Sequence, residues 1–402
     1  MEKTIRLTVD FHNPSHLAMF VLSVGALVVP LTMLCYVGLQ AVLGQAYNTF
    51  DQNPQFPVDQ EHFSQSSNNA YSSEIYSVGH HQVLSNHRKV YNQFAASLFQ
   101  NLHEGICNPD NSTASQLTRD KNVIPVHSHN DYWRTLPVFD AFSNGMNSIE
   151  ADIWLKNDPT NDGAMTLLVG HNEPYLQPQH SVENLYLKML NNLLDEVNCV
   201  GEIPSSDFRK NGFFYNDPHT TTYLYIDIKT ESTETYKVFI RTVVENTTLI
   251  KNGYLTYFDF SKKELVWGPL TLVITGNVPT EFIFKEEIDD PFNLNKRISF
   301  VDAQLINLDN IKSNNDSISV IGSGSLNEIV GTTGIKSFGG LNEEELSTMK
   351  KVVEEAHNLN IKVRIWDTPN WPVQIRDMVW KQLLELNVDY LNVDDLSDAR
   401  KF

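Results

Sequence analysis

After Thr118 the chain alternates short runs rich in β-branched and aromatic residues with longer stretches of helical spacing, a pattern that leaves few folds open. The runs that read as strands are Asn122–His127, Asn147–Leu155, Met165–Gly170, Thr222–Lys229, Leu270–Thr275, Arg297–Asp302, Ile361–Trp366 and Val388–Val393. Eight such runs within roughly 280 residues predict parallel βα units closed into an α/β TIM (β/α)8 barrel. The helical pattern is clearest ahead of the seventh run, where Leu346, Met349, Val352, Val353, Ala356 and Leu359 recur on one face. Ile318–Ile321 is a further β-like run, either a loop strand or a replacement for one of the eight. Gly322-Ser323-Gly324 behind it reads as a turn without chemistry.

The chain ahead of this region is of another kind. Residues 11 to 50 contain no Asp, Glu, Lys or Arg, and Leu17 to Gly44 is predominantly apolar over 28 residues, enough to cross a bilayer. Either a membrane anchor or a signal peptide cleaved near Gly44 and Ala46 fits that stretch, with Pro30 kinking the helix if it stays. Lys3 and Arg6 precede it, and no Lys or Arg falls between Asp51 and His87, so the bulk of the chain is expected to be translocated. That makes it a single-pass membrane or secretory-pathway protein with its main domain lumenal or extracellular. Sequons at Asn111, Asn246 and Asn315 agree with such a glycoprotein. The expected layout is a cytoplasmic tail over residues 1–16, the apolar segment over 17–44, a polar linker with a lead-in helix (Gln82 to His103) over 45–118, and the barrel over 119–402.

Charge and cysteine usage narrow the classes. With 49 acidic against 30 basic residues the net charge is −19, which repels nucleic acid at long range. Acidic runs such as Glu343-Glu344-Glu345 and Glu354-Glu355 read as solvated helix faces. Three cysteines without a CxxC exclude a zinc ribbon; Cys107 and Cys199 form either one disulfide or two buried thiols, and Cys35 lies in the apolar segment.

Polar residues at the C-terminal ends of barrel strands face the active-site mouth. There the first run ends in His127-Ser128-His129-Asn130-Asp131, the second carries Glu150-Ala151-Asp152, the third ends in Gly170-His171-Asn172 and the fourth in Asp227-Ile228-Lys229. Glu150 and Asp152, two apart on a strand, share a face that Asp227 can close. Three carboxylates in one small volume repel unless a cation sits among them, and oxygen ligands suit a hard divalent ion, Mg²⁺ before Ca²⁺. Imidazoles have the pKa for proton transfer on either side of a phosphate, and Lys229 adds fixed positive charge. A lone acid pair or strand-end histidine is ordinarily a solvated surface feature; together, buried among apolar strands, these groups would be costly without a function.

These stretches also carry a resemblance. Val126 to Arg134, Gly145 to Asp152 and Val169-Gly170-His171, with Tyr225 to Lys229, Thr275-Gly276-Asn277, Arg364-Ile365-Trp366 and Leu391 to Asp394, resemble the altered inheritance of mitochondria protein 6 family, a branch of the phospholipase C-like phosphodiesterases. In the wider superfamily the pattern is similar to glycerophosphodiester phosphodiesterases and sphingomyelinase D-like enzymes. The resemblance implies metal ligands at Glu150, Asp152 and Asp227 and a catalytic His171. It leaves the first histidine open: His127 follows the strand directly, and His129 has the spacing to Pro137 and Glu150. The His-Arg-Gly start of the glycerophosphodiesterases is replaced by His127-Ser128-His129, with Arg134 the candidate for the missing arginine. The interval to His171 is lengthened by a polar loop near residues 157–163. Trp366 and Asp394 stay outside the catalytic set.

The expected function is metal-dependent hydrolysis of a phosphodiester in a lipid or lipid-derived head group, direct or through a cyclic phosphate. An inactive membrane-tethered binding module is the alternative from another class. An amidohydrolase would begin with the same His127-x-His129, but it needs histidines on the fifth and sixth strands, where none occurs.

Overall fold

The computed structural model describes residues 108–158, 163–199, 209–312, 318–331 and 339–402. The apolar segment over 17–44, the linker with its lead-in helix as far as residue 107, Cys35, Cys107 and the Asn315 sequon lie outside the described residues, whereas Thr113–Thr118 is a short helix whose Ala114 and Thr118 are buried. Among the described residues no helix is long and apolar enough to cross a membrane.

Ten strands form the main sheet: β1 (Ile124–Ser128), β2 (Met146–Asn157), β3 (Met165–Val169), β4 (Thr222–Ile228), β5 (Leu270–Gly276), β6 (Ser299–Val301), β7 (Ala303–Gln304), β8 (Ile321–Ser325), β9 (Lys362–Trp366) and β10 (Tyr390–Val393). Nine of them run parallel in the order β7-β8-β9-β10-β1-β2-β4-β5-β6. Only Asp302 separates β6 from β7, so the chain itself joins the two ends of this order and the sheet is a barrel of the expected α/β type. Helices cover its outer face, among them α1 (Lys188–Val197), α2 (Ser232–Asn246), α3 (Glu343–Asn358) and α4 (Val373–Glu385). The helical periodicity seen before the seventh run is α3, which opens with a reciprocal cap: Asn342 accepts from the Glu344 and Glu345 amides while Glu345 accepts from the Asn342 amide. Met349, Val353 and Ala356 are its buried stripe, and Glu354 and Glu355 are exposed, as a solvated face requires.

Two expectations about the strands need correction. Met165–Gly170 is not a barrel strand: β3 pairs antiparallel with Ile153–Asn157, the half of β2 that outruns the barrel, as a hairpin. The strand next to β2 in the barrel is therefore β4, which runs parallel to it from Ser148 to Ile153. The eighth strand comes from the leftover run: β8 contains Gly322-Ser323-Gly324, read from sequence as a turn. A Cβ on Gly322 would stand 2.9 Å from the Ala303 carbonyl oxygen, and one on Gly324 would stand 2.7 Å from Ile329 Cδ1. The glycines permit close approach, which a composition rule reads as a turn.

The two-residue period of the strands sorts side chains into two cores. Leu224, Ile226 and Ile228 of β4, with Ile149, Ala151 and Ile153 of β2, pack outward beneath the helices. Tyr223 and Tyr225 of β4 fill the interior with Val273, Phe300, Ile321 and Tyr390, above Phe258 and Phe260. Phe258 belongs to a small three-stranded sheet (Tyr257–Asp259, Glu264–Val266, Lys296–Arg297). Continuing the interior series Tyr223, Tyr225 by one step gives Asp227, so the alternation that builds the core also aims this carboxylate into the barrel.

Cys199 is disulfide-bonded, which decides between the two sequence alternatives for it in favour of a bridge, and the other two cysteines lie outside the described residues. Asn111 and Asn246 are exposed, as sequons require.

Candidate active site

The loop after β1 is built to present main-chain donors. Asn130 adopts a left-handed conformation (φ 48), which Asn tolerates better than most residues, and its amide donates to Glu150 Oε2 at 2.9 Å. Asp131 is wholly buried and fixes this loop, accepting from Ser128 Oγ at 2.8 Å, from the Val138 amide at 2.8 Å and from the Tyr186 hydroxyl at 3.2 Å. Burial pushes the Asp131 carboxyl up to about 6.

Glu150, Asp152 and Asp227 each offer a carboxylate oxygen, and these oxygens lie within 4.8 Å of one another. The cause is register: Asp152 pairs with Asp227 across the β2–β4 ladder, and Glu150, one inward step earlier on β2, pairs with Tyr225, so the three acids meet on adjoining levels of the barrel interior. Lys229 reaches back with Nζ 2.8 Å from Asp227 Oδ2 and 3.1 Å from Asp152 Oδ2. Burial and the charges of Glu150 and Asp227 push Asp152 up to about 6. Asp227 is raised by burial, against the pull of Lys229. Burial also opposes charge on Glu150, but the His127 ring 3.8 Å away and the nearby Arg364 guanidinium outweigh it and hold this carboxyl well below the usual range. Asp227 Oδ1 is buried without a hydrogen-bond partner among the described residues, and the cluster offers only oxygen ligands. The residues therefore fit a hard divalent cation. Gly276 leaves room for this arrangement, since a Cβ there would fall 2.0 Å from Asp227 Oδ1.

The three histidines occupy distinct positions. His127 is wholly buried, its Nδ1 2.7 Å from Ser148 Oγ and its Nε2 3.8 Å from Glu150 Oε2, with the ring edge-on to Tyr225. Burial and the Arg364 charge push it down to about 3, so it is neutral at physiological pH. His129 is partly open; its Nδ1 lies 2.8 Å from Asp394 Oδ1 and its Nε2 3.9 Å from Glu150 Oε2. Burial works against a proton on His129, but the Asp394 hydrogen bond and the Glu150 charge raise its pKa overall. His171 stands just beyond β3, so the hairpin delivers it. Its Nδ1 is 3.4 Å from both Asp152 Oδ2 and the Tyr132 hydroxyl, which itself donates to Asp152 Oδ2 at 2.8 Å. Every residue named from sequence thus falls at one end of the barrel, and His127 differs from the other two histidines in being sealed from solvent.

Arg134 does not face the acids. Its guanidinium donates to main-chain carbonyls, of Asp394 at 2.5 Å and His129 at 3.0 Å, and so ties the end of β10 to the loop after β1. The arginine in the pocket is Arg364, unassigned from sequence. It is buried over the Tyr225 ring at 4.6 Å, bonded to Asn392 Oδ1 and Ser323 Oγ, with Nη2 3.7 Å from Glu150 Oε1 and Nη1 3.9 Å from Asp302 Oδ2. The signal was present: a charged residue between Val363 and Ile365, at the interior phase of an apolar strand, is a buried charge in need of partners. Asp394 was likewise left out, and its contact with His129 spans 265 positions of sequence, which no local pattern reveals.

A parallel TIM-type barrel whose mouth gathers two buried acids, the half-buried Asp227, a lysine and strand-end histidines matches a phosphodiesterase-like family. The model of the AIM6-like phosphodiesterase domain matches residues 115–292. Relatives called "Altered inheritance of mitochondria protein 6" include one from Lachancea thermotolerans, 39% identical over 311 residues that cover 74% of this chain and 70% of that protein. One from Eremothecium gossypii is 40% identical over 306 residues, 74% of each chain. One from Saccharomyces cerevisiae strain YJM789 is 37% identical over 316 residues, 76% of this chain and 77% of the other. The chain belongs to the altered inheritance of mitochondria protein 6 family. No solved structure matches it.

Proposed function

We propose that this protein is a metal-dependent phosphoric diester hydrolase acting on a phosphodiester of a lipid or lipid-derived head group, with His129 and His171 as the acid/base pair. The observation that carries this reading is the convergence of Glu150, Asp152 and Asp227 within 4.8 Å, with His129 close to Glu150 and His171 close to Asp152. Glu150, Asp152 and Asp227 would hold the cation, which when bound supplies positive charge to the phosphoryl oxygens. The chain's own groups do the rest. Asp394 fixes His129 through Nδ1 and leaves Nε2 on the pocket side, while Asp152 and Tyr132 orient His171 in the same way. One imidazole takes the proton of the attacking hydroxyl or water, and the other returns a proton to the leaving oxygen. Lys229, held between Asp152 and Asp227, adds charge beside the phosphate. His127, sealed and neutral, serves this reading as a positioning residue for Glu150 rather than as a proton carrier.

The substrate is the one partner this site calls for, and the net charge of −19 argues against nucleic acid. We assign membrane attachment to the apolar segment over residues 17–44, with the barrel on the lumenal or extracellular side. The test is hydrolysis of bis(4-nitrophenyl) phosphate by the purified protein, with Mg²⁺ or Ca²⁺ and with chelator. His171→Ala is expected to lower turnover by about 10²–10⁴-fold. Turnover that survives chelation would remove the metal from the scheme, and complete inactivity with all cations would make the barrel a binding module.

A further inference from the structure

The polar level of the barrel does not stop at the proposed catalytic groups. One step beyond the aromatic interior, β5 contributes Thr275, the β6–β7 junction Asp302, β8 Ser323, β9 Arg364 and β10 Asn392, and all five line the same cavity as His129, Glu150 and Asp227. These five are tied to one another: Thr275 Oγ1 donates to Asp302 Oδ2 at 3.0 Å, Arg364 Nη1 to Ser323 Oγ at 3.3 Å, and Arg364 Nη2 to Asn392 Oδ1 at 2.8 Å. The cavity measures about 470 Å³, within the range of pockets that enclose a whole small molecule rather than a phosphate alone. His129, Glu150 and Asp227 line one side of it. The proton-transfer scheme leaves the other half without work, although it holds a buried carboxylate and a buried guanidinium that are expensive to desolvate.

We propose that this second half, Thr275, Asp302, Ser323, Arg364 and Asn392, is a hydroxyl-recognition wall, and that the substrate is a phosphodiester whose alcohol on that side is a polyol such as a cyclitol or sugar. This rests on the phosphodiesterase reading and supplies its substrate class. Each hydroxyl of a polyol both donates and accepts, and the wall interleaves the two roles: carboxylate and amide oxygens accept, guanidinium donates, and Ser and Thr do either. A quaternary ammonium head group is instead held by several aromatic faces. Among the described residues that line the cavity Trp366 is the one Trp, Tyr or Phe, and it is exposed, where a single flat face covers one side of a ring. Sites that bond substrate hydroxyls discriminate strongly, because their polar groups are left unpaired when the hydroxyls are missing.

The test is calorimetric titration of the full-length protein, in Mg²⁺ buffer, with myo-inositol 1-phosphate and with phosphocholine. Tighter binding of the inositol ester by about tenfold or more is expected, shrinking to about threefold or less in Thr275→Val and Asp302→Asn variants whose unfolding midpoints show them to be folded. Equal or tighter binding of phosphocholine overturns the proposal, as does failure of the inositol ester to bind at millimolar concentration. A preference that persists in both variants overturns the assignment of the wall. Bis(4-nitrophenyl) phosphate, which carries no polyol, is assayed alongside. If it is not turned over while the inositol preference holds, catalysis is refuted and the polyol site stands.

Discussion

Replacing Gly276 with alanine tests whether the acid cluster is as tightly built as its geometry implies. Gly276 sits at φ +71, where an L-residue costs about 1–2 kcal/mol. The added Cβ would lie 2.0 Å from Asp227 Oδ1 and 2.7 Å from the Ile228 carbonyl oxygen. Restoring a normal contact requires the carboxylate to retreat by roughly 1 Å, and the carbonyl is held in the sheet and yields less. The summed destabilisation is expected at about 2–4 kcal/mol, read as a lower urea midpoint at unchanged slope. Displacing one ligand oxygen by that distance should weaken Mg²⁺ or Mn²⁺ binding by about 10–100-fold, measured by calorimetry on the folded protein below the unfolding transition. A variant that binds metal within about threefold of the parent would show that Asp227 is not a ligand in this pose, and the metal-centred reading would lose its third acid.

Arg364→Met removes the buried cation between Glu150 and Asp302, and should cost about 3–5 kcal/mol because two buried carboxylates lose their partner; urea titration measures it, and a loss under about 1 kcal/mol would contradict the pairing. Glu286 is buried against the Tyr236 hydroxyl, and burial raises its pKa from 4.5 to about 7. The folded state therefore binds more protons than the unfolded one between these values, and stability should fall as pH rises from 4.5 to 7, by no more than about 3 kcal/mol. Glu286→Gln should flatten that slope, visible in urea midpoints across the window; an unchanged slope assigns the dependence to other groups. Asp394→Asn frees His129 from its carboxylate and should lower kcat by about 10–100-fold with little change in KM, whereas a change confined to KM would make Asp394 a substrate contact.

Much of this molecule is legible in its sequence because strand periodicity is a local property. The alternation Tyr223, Tyr225, Asp227 and its counterpart Ser148, Glu150, Asp152 are written residue by residue, and they decide which side chains a strand turns inward once it is placed in the barrel. Placement itself is another matter. Met165–Val169 has the composition of a barrel strand, and only the length of β2 beyond the barrel gives it an antiparallel partner instead. Ile321–Ser325 has the composition of a turn, and only close approach to Ala303 and Ile329 makes its glycines fit a strand. Arg134, the sequence candidate for the arginine missing from the first motif, is spent on carbonyls of Asp394 and His129, and Arg364 holds the position beside Glu150.

The sequence by itself therefore determined the alternation of strands and helices, the acids and histidines at strand ends, and the interior phase of each strand, since these depend on neighbours one to four positions away. The tertiary structure decided which strand lies next to which, and with it that Asp227 joins Glu150 and Asp152, that His127 is sealed while His129 meets Asp394, and that four further strand-borne polar groups and the junction residue Asp302 line the cavity. Those outcomes are set by pairing register and barrel closure, which join residues hundreds of positions apart whose proximity lowers the free energy only after the whole sheet has formed.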